Sequence, residues 1–398
     1  MRVAIAATAV LVLTGCQASG SSNAPPTHPP SQSAIPVSAA PSETPSPTAA
    51  AFPSQLNCDR PVTATHGLAL FEYANSSVLG VLDVSNPLKP VLLCWLSGAQ
   101  GGRFNQAATQ IAFWIGDKLG TADLTSEKVV QTDTLPATPS EGSFSSDGMQ
   151  FAYRVGDDFN VGLSTHLYRR GDHRDLVLYS QAPLGGHGSA PYGPLDQLEF
   201  SPDNKELLDF SDFRPPSGTP PNFMVFRTAD GSVAYQLATA AFGAWAETGS
   251  TVYFFVQGEQ GFIGELDSVG PSGQAQTVLA SINGFFWPRA TPDGAGIVYD
   301  AYDNAGLPHL WRLDLATKGV TQLSTALSSK PVFVTRRTIW TDEEKPCDCG
   351  PGGASAADGS ILAHNLGAAT DILVDTSRTA PGVGAPQPST TGVADVWY

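Results

Sequence analysis

The sequence predicts an all-β fold in which small antiparallel sheets form a ring, a β-propeller. Three observations support this prediction. The chain of 398 residues contains 40 glycines and 32 prolines, the density of turn-forming residues that many short strands require. Apolar, β-branched and aromatic runs alternate with those turns. The runs also recur at steps of 40 to 56 residues, the spacing of about one four-stranded propeller blade.

Residues 287 to 324 show the repeated unit most clearly. A tight turn is predicted at Pro292-Asp293-Gly294, because proline presets φ and glycine accepts a positive φ. Residues 297–302 are β-branched and aromatic, and residues 310–315 alternate as a half-buried strand does. A further turn leads into a third strand at residues 320–323. A sheet this small leaves both faces uncovered, so it needs neighbours of its own kind.

Weaker copies of the same unit follow one another along the chain. Each begins at a polar turn that usually follows an aromatic residue, and an apolar strand comes next. The equivalent positions are 104, 144, 200, 245, 290 and 333, with steps of 40, 56, 45, 45 and 43 residues. With one further unit at the start, they predict seven blades of four-stranded antiparallel sheets. Six blades are the alternative, because the turns at Phe104 and Phe333 are degenerate.

The two ends of the folded region are predicted to meet. Three strands are expected within residues 66–73, 78–84 and 89–96, but no inner strand precedes them. The last residues, 392–398, read as a short apolar strand after a stretch rich in proline, glycine and threonine. We therefore expect this tail to complete the first blade, which removes an exposed sheet edge.

The repeat resembles that of the TolB-like, or WD40-like, β-propellers. The motif is an aromatic residue followed by Ser-Pro-Asp-Gly, seen here as Phe144-Ser-Ser-Asp-Gly and Phe200-Ser-Pro-Asp-Asn. The resemblance covers roughly residues 66 to 375. It implies a propeller fold, export from the cytoplasm and a tendency to bind other proteins, and it implies no catalytic residue.

The N-terminus predicts a bacterial lipoprotein. One positive charge, Arg2, precedes an apolar run at residues 3–13 that is too short to span a bilayer and suits a signal peptide. Leu13-Thr14-Gly15-Cys16 resembles a lipobox, which implies cleavage before Cys16, lipidation of its thiol and a place on the extracytoplasmic side of the cell membrane. An ordinary secretory signal is the alternative.

The predicted organisation has three parts: a signal peptide at residues 1–15, a lipidated Cys16 with a linker to residue 57, and a propeller at residues 58–398. The linker is almost all Pro, Ser, Ala, Thr and Gly, so it cannot offset its ordering entropy and is expected to be disordered. The formal net charge is −16, the wrong sign for binding nucleic acid through phosphates.

Four further cysteines are disulfide candidates, since an exported protein meets an oxidising environment. Cys58 precedes the first blade and Cys94 lies in its last predicted strand, so this pair is favoured. Cys347 and Cys349 are then left to each other. The alternatives are a cross-pairing of Cys58 with one of these two, unpaired or mixed thiols, and a metal site that adds His364.

Three histidines, His166, His173 and His187, lie in or beside the longest step of the repeat, with Asp172 and Asp175 near them. They are interpreted as solvated side chains on an enlarged hairpin, with a ligand or metal site as the alternative. Recognition loops are sought in three long segments rich in glycine and proline, at residues 184–194, 214–221 and 343–359.

The functional prediction is a non-catalytic binding or scaffolding module of the cell envelope, with no cofactor and a protein or envelope component as its partner. Sequence signatures of serine hydrolases, P-loop proteins and zinc metalloproteases are not found. The alternative is an envelope lyase or glycan hydrolase with its site in the propeller channel. Converging carboxylates, histidine or arginine at the channel would favour the enzyme.

Overall fold

The structure is a computed structural model. It describes residues 52–63, 67–73, 78–86, 90–157, 162–182, 197–210, 223–237, 240–257, 263–303, 307–334, 338–346, 355–365, 370–373 and 393–397. Within these ranges the chain forms 29 strands in seven antiparallel sheets. In the same ranges no helix has the length and apolar composition needed to cross a membrane.

Six of the sheets each consist of four strands that follow one another along the chain. The second sheet contains β5 (Gln100–Phe104), β6 (Gln110–Ile115), β7 (Lys118–Asp123) and β8 (Val129–Thr134), and the third contains β9 (Glu141–Phe144), β10 (Gln150–Asp157), β11 (Gly162–Arg169) and β12 (Arg174–Gln181). The fourth contains β13 (Gln197–Phe200), β14 (Glu206–Phe210), β15 (Phe223–Arg227) and β16 (Val233–Leu237), and the fifth β17 (Ala240–Trp245), β18 (Val252–Gln257), β19 (Ile263–Val269) and β20 (Ala275–Asn283). The sixth contains β21 (Phe286–Ala290), β22 (Gly296–Tyr302), β23 (Pro308–Asp314) and β24 (Val320–Gln322), and the seventh β25 (Ser328–Val334), β26 (Thr338–Pro346), β27 (Ser355–Asn365) and β28 (Thr370–Leu373).

The first sheet joins the two ends of the chain. Its order is β1 (Asn57–Cys58), β4 (Val91–Ser97), β3 (Val78–Asp83), β2 (Leu68–Tyr73) and β29 (Val393–Trp397). The C-terminal strand β29 pairs antiparallel with β2, with Leu68 opposite Trp397. It contacts β5 on one side and β25 on the other, so it closes the ring. The predicted closing strand is thereby confirmed.

The positions chosen as repeat anchors end the inner strands of their sheets. Phe104, Phe144, Phe200 and Trp245 are the last residues of β5, β9, β13 and β17. Each of these strands starts its sheet and lies nearest the axis of the ring. The regular step in the sequence therefore measures the distance from one inner strand to the next, and the seven-blade count agrees with the seven sheets.

A hydroxyl group organises the turn that follows the inner strand. Ser145 Oγ donates to Asp147 Oδ1 at 2.6 Å and accepts from the backbone N–H of Gln150 at 2.9 Å. Ser201 and Thr291 make the same two bonds in their own sheets. The residue after the aspartate has positive φ, 67° at Gly148. This explains why the repeat prefers Ser or Thr, then Asp, then Gly.

The segment before Cys58 packs against the sheets. Phe52 stacks on Phe113 with ring centroids 5.7 Å apart, and Leu56 is only 3% exposed. The backbone N–H of Leu56 donates to the carbonyl of Glu127 beside β8. The predicted linker ended at residue 57, but apolar contacts of residues 52–57 already belong to the head.

One disulfide ties this entry segment to the first sheet. Cys58 and Cys94 are bonded and lie opposite each other in the pairing of β1 with β4. The favoured pairing is confirmed, and the cross-pairing of Cys58 with Cys347 or Cys349 is wrong. Cys16, Cys347 and Cys349 lie outside the described residues.

Candidate functional site

The contact between the second and third sheets has an apolar inner half. Trp114 and Phe144 pack against Phe151 at ring-centroid distances of 5.1 and 4.5 Å. Leu119 and Leu135 belong to the same buried cluster. This half holds the two sheets together by apolar packing. The outer half, between β8 and the outer strands of the third sheet, is polar and forms a cleft.

Asp133 is the centre of the cleft. Its side chain is only 3% exposed and accepts hydrogen bonds from three residues of the third sheet. His173 Nδ1 donates to Oδ1 at 2.8 Å, Tyr168 Oη to the same oxygen at 3.2 Å, and Arg170 Nε to Oδ2 at 3.2 Å. One buried carboxylate of β8 therefore holds three side chains from the neighbouring sheet.

These bonds decide the charge of the centre. Burial alone would raise the pKa of Asp133, but hydrogen bonds from Thr132, Arg170 and His173 outweigh burial and hold the pKa below its ordinary value. Burial and the nearby Asp133 carboxylate raise the pKa of Tyr168 to about 12. At neutral pH the centre is thus an ionised carboxylate beside an un-ionised phenol.

His173 is the most accessible member of this group. Its side chain is 69% exposed although Nδ1 bonds to Asp133. Its backbone φ is 52°, a left-handed conformation that a residue without special reason avoids. The turn thus directs an imidazole edge toward solvent at the mouth of the cleft.

A second chain of hydrogen bonds runs along the same face of the third sheet. Ser164 Oγ lies 2.8 Å from His166 Nε2, and His166 Nδ1 lies 2.8 Å from Asp175 Oδ2. Tyr153 Oη donates to the other oxygen of Asp175 at 3.0 Å. The rings of Tyr153 and His166 stack with centroids 4.8 Å apart. Asp175 is shared, because it also borders the cleft.

The cleft has a volume of about 620 Å³, within the range of small-molecule sites. Its lining combines polar and apolar surface and consists of Gln131, Thr132, Asp133, Thr134, Leu135, Pro136, Tyr168, His173 and Asp175. A smaller cavity of about 410 Å³ adjoins it and shares Thr132, Asp133 and His173. Both open beside the same inter-sheet hydrogen bonds.

A separate polar network lies between the third and fourth sheets. Arg154 is 1% exposed and its guanidinium bonds to the Glu141 carboxylate at 2.9 Å, to Asp209 and to the carbonyl of Phe210. Thr165 donates to the second oxygen of Asp209 at 2.7 Å. This network joins the third and fourth sheets with its charges paired.

Two half-exposed charges meet along the axis itself. Arg289 of β21 contacts Glu199 of β13 at 3.3 Å, although the fifth sheet lies between their sheets. Gln197 donates to Glu199 at 2.8 Å and exchanges two hydrogen bonds with the backbone of Gly243. A carboxylate and a guanidinium therefore lie together in the channel. Converging charged groups at this place are the feature that favours an enzyme site.

The structure corrects the interpretation of the histidines. His166 was expected to be solvated, but it is only 12% exposed because it lies within β11, facing the second sheet. Asp175 is 18% exposed and bonds to it. Asp172 is exposed, as expected. His187, residues 184–194 and residues 214–221 lie outside the described ranges, as do residues 347–354 of the third long segment.

Sequence reasoning missed Asp133, Tyr168, Arg170 and Ser164. Asp133 contacts Tyr168 and Arg170 across two sheets, so no local signal in the sequence marks these three residues. The strand period places Ser164 on the same face as His166, and this signal could have found Ser164. His364 is 2% exposed. Within the described residues, no three His, Cys, Asp or Glu side chains are grouped to hold a metal ion.

No protein-family model and no curated protein matches this chain in sequence. Solved structures do match. A prolyl endopeptidase is similar at TM-score 0.50 and 11% identity, over 80% of this chain and 50% of that one. The chain has the β-propeller fold. The fold predicted from the TolB-like repeat is therefore confirmed by the sheets and by this similarity.

Two further propellers match at lower scores. An oligogalacturonate lyase from Vibrio parahaemolyticus has a TM-score of 0.49 and 12% identity, over 81% of this chain and 91% of that one. TolB from Acinetobacter baumannii has a TM-score of 0.42 and 13% identity, over 81% and 79%. At these identities the likeness concerns the fold alone, and function rests on the site.

Proposed function

We propose that this β-propeller is an envelope binding module, tethered to the extracytoplasmic face of the cell membrane through Cys16, and that it holds a small hydroxylated ligand such as a short glycan in the cleft between its second and third sheets. The observation that carries the proposal is the cleft itself. It combines a volume suited to a small ligand with donors and acceptors fixed by Asp133.

The chemistry of the lining favours a hydroxylated ligand. Hydroxyl groups both donate and accept, and the cleft offers both functions from Gln131, Thr132, Thr134 and Asp175. The charge of Asp133 is shared with Arg170, so the cleft does not demand a strongly cationic ligand. Tyr168 adds an aromatic ring held in place by its bond to Asp133.

The position of the entry segment supports the tether. Residue 52 contacts the second sheet, and about 35 residues separate it from Cys16. The disorder that the sequence predicts for this linker would give it a reach of about 30–35 Å. This reach would hold the head close to the membrane surface while leaving it free to turn. Mass spectrometry of the mature N-terminus should find acylated Cys16, and Cys16→Ser should block processing.

Binding is tested by titrating the purified chain with fragments of envelope glycans in a calorimeter. His173→Asn and Gln131→Ala should each weaken binding about 5- to 10-fold, because each removes a hydrogen-bonding group from the mouth of the cleft. Asparagine tolerates the positive φ of residue 173. Gln276→Ala, on the outer strand of the fifth sheet, is the matched control and should bind normally.

The channel supports a second candidate, an envelope lyase or glycan hydrolase. Its favouring observation is the pair of Glu199 and Arg289, each about one-third to two-fifths exposed at the axis. Incubation with polyuronates and β-linked glycans should then release new unsaturated or reducing ends, and Glu199→Gln should abolish this release. Binding that depends on His173 without such products would favour the binding module.

A further inference from the structure

We propose that Ser164 is an activated nucleophile that accepts acyl or phosphonyl groups from small activated esters. The proposal goes beyond ligand binding, because a binding site has no need of a base on a serine. It rests on the hydrogen-bonded row of Ser164, His166 and Asp175 on the third sheet.

The strand geometry places the three groups. Ser164 and His166 are two residues apart on β11, so their side chains project from the same face of the sheet. Asp175 lies on β12, which pairs with β11. The two distances, 2.8 Å from Ser164 Oγ to His166 Nε2 and 2.8 Å from His166 Nδ1 to Asp175 Oδ2, are those of direct hydrogen bonds.

The partners fix the tautomer of the imidazole. An ionised aspartate only accepts, so Nδ1 of a neutral His166 carries the proton toward Asp175. Nε2 is then the acceptor, and the Ser164 hydroxyl donates to it. Tyr153 stacks on the imidazole and donates to Asp175, so both the ring and the carboxylate are held in this orientation. This arrangement is the one in which a histidine removes a serine proton.

The proposed step balances with water alone as co-reactant. Ser164 Oγ forms a bond to the ester carbonyl carbon while its proton passes to His166 Nε2. The bond from that carbon to the leaving oxygen breaks, and His166 returns the proton to the leaving alcohol. Water, deprotonated by the same nitrogen, then releases the acid and restores Ser164.

Access to Ser164 is compatible with a small reagent. Ser164 and His166 are half-buried, and His166 keeps 12% of its surface exposed. Asp175 borders the cleft but Ser164 does not line it, so a small reagent reaches Ser164 from its own half-exposed surface. The inference therefore concerns small esters, and large polymers are not included.

The test is covalent labelling of the full chain with a fluorophosphonate, which forms a P–O bond to a nucleophilic serine and releases fluoride. We expect one label, on Ser164 by peptide mapping. The rate should fall about 100-fold or more in His166→Gln, since a positioned general base contributes about 10²–10⁴-fold.

Ser180→Ala is the matched control, because Ser180 lies opposite Ser164 in the pairing of β11 with β12 and should not be needed. Gln276→Ala, on the outer strand of the fifth sheet, should also label at the parent rate. Labelling of Ser164 requires no glycan and glycan binding requires no label, so the two proposals fail separately. No label on Ser164, or equal labelling of the parent chain and His166→Gln, would overturn the inference.

Discussion

Two contacts between neighbouring sheets use the same repeat in opposite ways. The fourth and fifth sheets meet mainly through a cluster of aromatic and aliphatic side chains that includes Phe210, Phe223, Phe242 and Phe254. Their rings lie 5.2 to 6.4 Å apart in tilted pairs. The second and third sheets share an apolar inner half, but their outer half is organised by Asp133 and is open as a cleft.

The two contacts differ in how much they stabilise the ring and in what they leave accessible to a ligand. An aromatic contact of this kind excludes water and stabilises the fold without offering anything to a ligand. A cleft lined by bonded polar groups stabilises less and leaves donors and acceptors at the surface. Between the second and third sheets, the apolar inner half supplies stability and the polar outer half leaves room for the proposed ligand.

Phe223→Ala should have the largest effect, since Phe223 is fully buried and touches rings on both sides. Loss of transfer free energy plus the cavity left behind should lower the free energy of unfolding by about 3–5 kcal/mol. Chemical denaturation monitored by tryptophan fluorescence measures it. Phe223→Leu is the control and should lose much less. Equal stability of Phe223→Ala and the parent chain would show that this apolar contact does not stabilise the fold.

Asp133→Ala should lower the free energy of unfolding by about 2–3 kcal/mol, because it leaves buried donors of Tyr168 and Arg170 without their acceptor. Asp133→Asn should lower the free energy of unfolding by less than Asp133→Ala does, and it should change how that free energy depends on pH at acid pH. The folded pKa of Asp133 is lowered, so its contribution is present above the unfolded pKa and is lost as pH falls through the folded value. Denaturation curves below pH 4 should therefore differ between the parent chain and Asp133→Asn.

Glu72 lies at a polar contact between the first and second sheets, where the N–H of Gly101 donates to its carboxyl group. Its pKa is shifted in the opposite direction to that of Asp133. Burial raises the pKa of Glu72 to about 7. The folded chain then holds a proton that the unfolded chain has lost, so stability should fall as pH rises from about 4.5 to 7. Glu72→Gln should remove this loss of stability, which is about 2 kcal/mol because Glu72 is half-buried and partly screened by solvent. An identical pH dependence in both chains would refute it.

The turns that follow the inner strands give the smallest effects. Gly294 and Ala108 occupy the same place in the turn with φ of 64° and 49°, but only glycine adopts such values freely. Ala108→Gly should raise the free energy of unfolding by about 1 kcal/mol, and Gly294→Ala should lower it by a similar amount. Paired thermal melts compare the two. Shifts of the same sign would mean that the turns are not equivalent.

The fold was predictable because its signals are local. The hydroxyl, aspartate and glycine of each turn act within six residues, and the step between turns counts the sheets. The closing strand and the pairing of Cys58 with Cys94 also followed from simple constraints, an edge to cover and an oxidising environment. The start of the head was predicted too late, because Phe52 and Leu56 look like isolated apolar residues in a proline-rich stretch although both pack against the sheets.

The candidate site was less predictable because its parts come from different sheets. Asp133 lies 35 residues before Tyr168, and nothing in the sequence says that β8 faces this part of the third sheet. His166 and Asp175 were noticed, but the strand period that puts Ser164 and His166 on one face was not applied to them. Positions within a repeat are predicted by its period, whereas contacts between repeats depend on which faces meet.

The most direct test of the account locates a ligand by hydrogen–deuterium exchange. The full chain is exposed to a mixture of short envelope glycans, and peptides across all seven sheets are compared with and without them. The account predicts slower exchange in peptides that cover residues 129–136 and 168–175, and it predicts that His173→Asn reduces this protection. Protection confined to β13 and β21 at the axis, with the cleft unchanged, would contradict it.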